Sequence, residues 1–404
     1  MRCTPDAVAD ALRQIDAGTL RRRRVEAEPV SMSDAARGLH IEVAGERYVN
    51  FCSNDYLGLA MHPALAAAMA DAAQRCGAGS GASHLVTGHG PEHAALEREL
   101  AEFVGRERAL LFSSGYMANL GIAAALLERG DLVLEDRLNH ASLIDAGLAV
   151  PGARFERYAH GDAAAARDVL AKFVADANRS ALGASLLTDG VFSMDGDLAP
   201  LPALATAARE HAAWLVVDDA HGIGVLGREG RGSCEHFGLE VADVPVLMGT
   251  LGKAFGSFGA FVAGASDTIE LILQRARTYR YTTALPQPVA AASRAALRIA
   301  TQEPWRRTRL EAAISRFRER AQRLGVPLAA SMTAIQPVLF GTAGSALAAS
   351  DALRAAGYWV TAIRPPTVPP GTARLRITLS AAHADADIDG LVDALALAWQ
   401  QRTP

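Results

Sequence analysis

The sequence predicts an α/β protein: a large domain built on a mainly parallel sheet between helices, then a smaller C-terminal α+β domain. Two observations carry this. From about Ala109 to Gly264, short apolar runs alternate with helix-like stretches, the pattern of βαβ units whose sheet is covered on both faces. After a largely helical Ala290–Leu324, the runs Gln336–Phe340, Tyr358–Ile363 and Ala373–Leu379 read as strands of a second unit. Composition agrees: half of the 404 residues are hydrophobic and 21% are charged, enough apolar side chain for a sizeable core. The expected division is an N-terminal segment over 1–50, a large domain over 51–286 and a small domain over 287–404.

In chain order, residues 1–50 read as a helix, the basic run Arg21–Arg24, and a hairpin (His40–Val43, Arg47–Asn50) turning at Gly45. Ala64–Arg75 is helical, followed by the glycine-rich GAGSGASHLVTGHG (77–90). Strands are expected at Ala109–Phe112, Leu132–Leu134, Ala184–Leu187, Trp214–Val217, Pro245–Met248 and Ala260–Ala263, with helices such as Tyr116–Leu127 and Pro202–Ala212 between them. In the last strand of the small domain Leu375, Ile377 and Leu379 alternate with Arg374, Arg376 and Thr378, the period of a half-buried strand. RPPTVPP (364–370) is a stiff loop before it.

The balance of 40 basic and 44 acidic residues argues against a nucleic-acid binder, which is usually basic. Cys3, Cys52, Cys76 and Cys234 form no CxxC pair, so free thiols in a reducing cytoplasm are expected rather than a zinc ribbon or disulfide framework. No apolar run suits a membrane span, and MRCTPDAVADALRQIDAG lacks the apolar centre of a signal peptide. Lysine occurs only at Lys172 and Lys253, so 38 of the 40 basic residues are arginine.

In an open α/β sheet ligands bind beyond the carboxyl ends of the strands, and several polar residues fall there. Lys253, in GTLGKAFGSFG (249–259), follows an apolar run among glycines. It is either an exposed loop lysine or an amine whose desolvation lowers its pKa and suits it to attack a carbonyl. Lys172 sits in the helical VLAKFVADA. Asp218 and His221, in WLVVDDAHGIGVLG, could pair with a protonated pyridine nitrogen and its ring hydroxyl; with Asp219 they could equally form a metal site. SSGYMANLGIAAALL puts Gly115 between strand and helix, a phosphate site or a plain capped turn. His140, in LNHASLIDA, could stack on an aromatic cofactor or be structural. The 77–90 loop follows a helix rather than a strand, so it is no dinucleotide fingerprint and is expected to shape the site entrance.

Together, SNDYLGL (53–59), GSGASHLVTG (79–88), SSGYMAN (113–119), NHASLIDA (139–146), DGVFSMDGD (189–197), VDDAHGIGVLGREGRGSC (217–234), GTLGKAFG (249–256) and AIRPPTVPPGTARLRITLSAAH (362–383) resemble, in order, the α-oxoamine synthases. These are pyridoxal 5′-phosphate (PLP) enzymes of fold type I, with a mainly parallel seven-stranded sheet. The resemblance implies that Lys253 carries the cofactor, Asp218 faces its pyridine nitrogen and His140 stacks on its ring. Ser193, His221 and Thr250 would bond the ring hydroxyl and phosphate, and Gly115 and Tyr116 would form the phosphate cradle. It gives Arg376 the amino-acid carboxylate, and places Asn54, Arg21 and Thr367 at substrate positions, with the register inside Arg21–Arg24 open by one residue. Thr283 would reach the phosphate of a partner in a homodimer. No metal is implied. His84 stands where arginine is common in the family, and Asp189 where glutamate is usual.

The implied reaction is a decarboxylative condensation of an amino acid with an acyl thioester in the cytoplasm. RPPTVPPGTARLR, around which glycine- and serine-using relatives differ, directs the expectation to L-alanine and a pimeloyl thioester, carried by coenzyme A or an acyl carrier protein. The alternatives are another α-oxoamine synthase, such as a glycine C-acetyltransferase, a PLP fold that has lost catalysis, and a metal hydrolase.

Overall fold

The computed structural model describes residues 7–17, 24–30, 39–176 and 182–402. Helix α1 (Val8–Ala17) and the short β1 (Glu28–Pro29) precede the hairpin β2 (His40–Val43) and β3 (Glu46–Asn50). Ala44 and Gly45 turn it with φ of 53° and 83°. Then come α2 (Pro63–Cys76), a single wide turn at His84–Gly88, and α3 (Pro91–Phe103). The sheet region runs β4 (Arg108–Phe112), α4 (Gly115–Leu126), β5 (Leu132–Asp136), α5 (Ala141–Leu148), β6 (Arg154–Tyr158), α6 (Ala163–Ala175), β7 (Ala184–Asp189), α7 (Leu201–Glu210), β8 (Trp214–Asp218), α8 (Ser233–Phe237), β9 (Val246–Thr250) and β10 (Ala260–Gly264).

These seven strands form one sheet in the order β4-β10-β9-β8-β7-β5-β6. Only β10 runs against its neighbours, because the link 251–259 from β9 is too short for a crossover helix and must turn the chain straight back. Alternate side chains feed two cores. Leu132, Leu134, Leu186, Val217 and Leu247 face one layer; Val133, Leu187, Val216 and Met248 face the other, under α4 and α5. The six strands read from the sequence are present, each within two residues at either end. The seventh, β6, is RFERY at the sheet edge, where charged residues need not be buried.

Beyond the sheet lie α9 (Ser266–Arg275), α10 (Arg277–Arg280), α11 (Gln287–Gln302) and α12 (Trp305–Arg323). The helical stretch expected over Ala290–Leu324 is thus two helices, parted at Pro304, which cannot continue the hydrogen-bond ladder. The chain ends with β11 (Ile335–Gly341), α13 (Ala343–Ala355), β12 (Tyr358–Trp359), β13 (Thr361–Ile363), β14 (Ala373–Thr378) and α14 (Asp385–Gln400). The expected strand Tyr358–Ile363 is split at Val360 because its halves serve different sheets: β12 pairs with β3, and β13 with β14 beside β11. The N-terminal hairpin therefore docks on the C-terminal part. Among the described residues no helix is long and apolar enough to cross a membrane.

The half-buried reading of β14 needs correction. Its polar face turns inward, with Arg374 at 4% exposure and Thr378 at 1%. Arg374 donates to the Met194 carbonyl and pairs with Asp195, while Arg376 Nε donates to the Ser193 carbonyl at 2.6 Å. The small sheet thus grips the 189–197 loop through two arginines two residues apart, and period two here separates two buried environments.

Candidate active site

Lys253 lies in the β9–β10 turn, and the turn is held from several sides. Leu251 N donates to the Gly259 carbonyl at 2.8 Å, Ser257 N to Leu251 at 2.9 Å, and Gly256 N to Lys253 at 2.8 Å. A Cβ on Gly256, whose φ is +60°, would meet the Ala60 nitrogen at 2.3 Å, so only glycine lets the turn pack so closely on that segment. Thr250 braces its start, donating to the Gly259 carbonyl at 3.0 Å and accepting from Gly252 N at 3.3 Å. Burial lowers the Lys253 pKa to about 8, against the opposing pull of Asp218 and Asp189. Lys172, by contrast, is exposed on α6.

Asp218 ends β8 at 3% exposure. Its Oδ2 accepts from Asn119 Nδ2 at 2.7 Å and its Oδ1 from Ala220 N at 3.0 Å. Asp219 turns the other way, into a cage of glycines: a Cβ at Gly190, Gly222 or Gly232 would come within 2.6, 2.1 or 1.9 Å of its carboxylate. Its Oδ2 accepts from Ser233 N at 2.7 Å, and burial raises its pKa to about 7. Asp219 thus pins the loop that delivers His221, and it does not point with Asp218 as a metal pair would.

His221 Nε2 lies 2.8 Å from Lys253 Nζ, and its Nδ1 lies 2.7 Å from the Tyr56 hydroxyl. That hydroxyl is 3.1 Å from Asn54 Oδ1, which also receives the Arg376 guanidinium at 3.3 and 3.4 Å. His140 caps α5 through its ring nitrogen, and its backbone N–H donates to Asp189 Oδ2 at 2.6 Å. Its ring is exposed. At the head of α4, Ser114 Oγ accepts from Met117 N at 3.3 Å, while the Gly115 and Tyr116 amides precede the first intrahelical bond, Ala118 N to Ser114 O. Tyr116 donates its hydroxyl to Asp145. Thr367 lies on a cleft of about 690 Å³ with Asn139, His140, Phe192, Ser193 and Arg374.

Of the residues singled out in the sequence, hydrogen bonds join Lys253, His221, Asn54, Arg376 and Ser193, and the cleft brings His140 and Thr367 to Ser193. No hydrogen bond among the described residues ties Thr283 to this group. It is exposed, in a stretch fastened to the glycine loop by Ala284 N donating to the Ala82 carbonyl at 2.9 Å. Arg21 lies outside the described residues. Tyr56, Asn119 and Arg374 escaped the sequence reading. Asn119, a lone amide at 1% exposure inside the apolar MANLGIAAALL, was the one detectable signal.

Under the glycine loop His84, His89 and His93 hold nitrogen atoms within 4.8 Å of one another. His84 stacks on Tyr279 at 4.8 Å, and its Nδ1 is 3.0 Å from His89 Nδ1. His93 accepts from Gly90 N at 3.0 Å and bonds the Leu285 carbonyl. Burial lowers all three, His84 to about 3, so these are neutral rings joining the loop to α3 and to the segment before α11.

His160 is the opposite case. It bridges Asp136 and Asp197, at 2.9 Å to each, and these bonds raise its pKa to about 10. The bridge ties the 189–197 loop to the end of β5. A pKa raised above the unfolded value near 6.5 stabilises fully below that value and is lost as pH rises through about 10. His160→Gln should therefore cost about 2 kcal/mol at pH 6, the worth of charge-assisted bonds discounted for partial exposure. The gap from wild type should close as pH passes 10. Urea unfolding of both proteins at pH 6, 8 and 10 measures it.

The donor set suits PLP: an amine of lowered pKa, a buried carboxylate for a pyridine nitrogen, free amides at a helix head for a phosphate and an open imidazole face. The comparisons agree. The model of the family "aminotransferase class I and II" matches residues 46–395. The chain is 57% identical over 394 residues to 8-amino-7-oxononanoate synthase of Methylococcus capsulatus, covering 97% of this chain and 98% of that one. To the enzyme of the same name from Cellvibrio japonicus it is 58% identical over 353 residues, 87% of each. Among solved structures, Sphingomonas wittichii serine palmitoyltransferase aligns with a TM-score of 0.88 at 28% identity, over 98% of this chain and 97% of that one. 8-Amino-7-oxononanoate synthase of Francisella tularensis aligns with a TM-score of 0.75 at 29% identity, over 87% and 98%. The chain therefore belongs to the class I and II aminotransferase family, a fold-type I PLP enzyme among the acyltransferases related to 8-amino-7-oxononanoate synthase.

Proposed function

We propose that the protein condenses L-alanine with a pimeloyl thioester, from coenzyme A or an acyl carrier protein, giving 8-amino-7-oxononanoate, CO2 and the free thiol carrier. The single observation that carries the reading is the connected group Arg376–Asn54–Tyr56–His221–Lys253 beside Asp218. It sets a fork for a carboxylate and a proton-accepting amine at one site. When bound, PLP supplies an electron sink for the Cα carbanion of the amino acid. The chain's own residues do the rest. Gly115 and Tyr116 amides and Thr250 would hold the phosphate, His140 would cover a ring face, and Ser193 and His221 would meet the ring hydroxyl. Asp218 would keep a positive charge on the pyridine nitrogen. Lys253 Nζ, near pKa 8, is deprotonated often enough near neutrality to take the Cα proton and return it. Arg376 would grip the alanine carboxylate until it leaves as CO2.

Arg21 from the N-terminal segment would meet the acyl chain, and Asn54 and Thr367 would meet the acyl or the amino-acid substrate. The enzyme would act as a cytoplasmic homodimer, Thr283 completing the partner's phosphate site. Leu85, Val86 and Tyr281, at 49%, 74% and 64% exposure, give the glycine-loop face apolar surface to cover.

The test is a product assay with alanine, glycine and serine against acyl thioesters of several chain lengths. Alanine with the pimeloyl donor should give the highest kcat/KM; a better pair would overturn the assignment. Arg376→Ala should raise the alanine KM about ten- to a hundredfold, the worth of one charge-assisted bond, and the KM for the acyl donor much less. Equal alanine affinity in the variant would remove Arg376 from that role.

A further inference from the structure

We propose that Tyr56 is a positioning residue whose hydroxyl, set between Asn54 and His221, governs which His221 nitrogen carries a proton and so which protonation state of Lys253 the site accepts. Tyr56 is 1% exposed, so its hydroxyl is satisfied inside the protein: it lies between Asn54 and His221, with the Arg376 guanidinium close enough to act on it as a donor and a positive charge. Asn54 Oδ1 at 3.1 Å receives the Arg376 guanidinium as well. A guanidinium only donates, which fixes that Asn54 atom as the oxygen. One hydroxyl proton therefore serves two acceptors, Asn54 Oδ1 and His221 Nδ1.

This gives two fully paired arrangements. With Lys253 as ammonium, Nζ donates to His221 Nε2, the His221 Nδ1–H donates to the Tyr56 oxygen, and Tyr56 donates to Asn54. With Lys253 neutral, His221 Nε2–H donates to Nζ and Tyr56 donates to Nδ1. His221 changes tautomer without changing charge. Burial beside Lys253 and Arg376 holds it well below its usual pKa, while Tyr56 is pushed up to about 12 and keeps its proton. The other groups facing Lys253 are Asp218 on β8 and Asp189 on β7, which favour its charge, and Arg376 on β14, which opposes it; His140 at the head of α5 lies in the opposing fields of Asp218 and Lys253.

The inference rests on Lys253 as the reactive amine of the proposed function, and its test uses cofactor-free protein so that the two can fail separately. Trace acetic anhydride labelling from pH 6 to 10, read by peptide mass mapping, titrates both lysines, with exposed Lys172 as internal reference. Tyr56→Phe keeps the packing but leaves His221 Nδ1–H without an acceptor when Lys253 is charged. The Lys253 midpoint should fall by about one pH unit, roughly a tenfold change in the protonation equilibrium, while Lys172 stays put. Asn54→Ala removes the competing acceptor, favours the neutral-amine arrangement and should shift Lys253 the same way; it carries the test if Tyr56→Phe does not fold. An unchanged or raised Lys253 midpoint in a folded variant overturns the proposal. A wild-type protein that takes up no PLP at Lys253 would overturn the functional reading instead and leave this titration standing.

Discussion

Lys253→Ala should abolish covalent cofactor attachment and lower product formation on the order of ten-thousandfold or more. Borohydride reduction of the PLP-treated wild type, followed by peptide mapping, should put the label on Lys253 alone; in the variant no lysine peptide should carry it. Only two lysines compete. Lys172 stands exposed on α6, away from the strand ends, whereas Lys253 lies just beyond one, where burial brings its pKa to about 8. The size of the loss follows from the two tasks of one amine. Acid–base transfer by a placed side chain is worth about 10²–10⁴, and the covalent anchoring is lost with it. The turn should survive the change, since its hydrogen bonds run through the Leu251, Lys253 and Gly256 backbones. A label on Lys172, or turnover within tenfold of wild type, would refute the assignment.

How much of this was readable in advance depends on the range of each interaction. Six of the seven strands were legible because their signal is local, apolar runs mostly spaced by helix-length links; the strand order was not, since β4 pairs with β10 from the far end of the sheet region. Lys253, Asp218 and His221 were legible because strand ends in such a sheet converge on one site. Asp219 drew attention only as a metal partner of Asp218, since nothing in DDAH shows that glycines 190, 222 and 232 close around it. Tyr56 was opaque for a similar reason. An aromatic residue in SNDYLGL reads as core, and it is core, yet its hydroxyl meets a histidine 165 residues away. Arg374 looked like the solvent face of β14 until the 189–197 loop covered it. His84 of the glycine loop, whose ring packs against Tyr279 from far along the chain, belongs to the same class: its partner is set by tertiary packing, which periodicity does not encode.

Asp218→Asn should still permit borohydride labelling of Lys253 but slow exchange of the alanine α-hydrogen with solvent about a thousandfold, near 4 kcal/mol of barrier. Two arguments converge. An amide carries no charge, so it cannot hold the pyridine nitrogen protonated, and the electron sink weakens accordingly. The site also leaves an amide no good orientation. Oδ2 accepts from Asn119 Nδ2 at 2.7 Å and Oδ1 from Ala220 N at 3.0 Å, so whichever oxygen becomes NH2 meets another donor. Asn119 is held from behind, its Nδ2 also donating to Ser142 Oγ at 2.8 Å, and cannot turn away freely. Part of the damage should therefore be structural, about 1–3 kcal/mol for a buried donor without an acceptor, visible as a lower unfolding midpoint. Asn119→Ala separates the two contributions. It keeps the charge at 218 and removes one bond, so it should lose much of the same stability while α-hydrogen exchange falls far less than in Asp218→Asn. Equal losses of exchange in the two variants would mean that Asp218 works by geometry alone, and wild-type exchange in Asp218→Asn would exclude it from the chemistry.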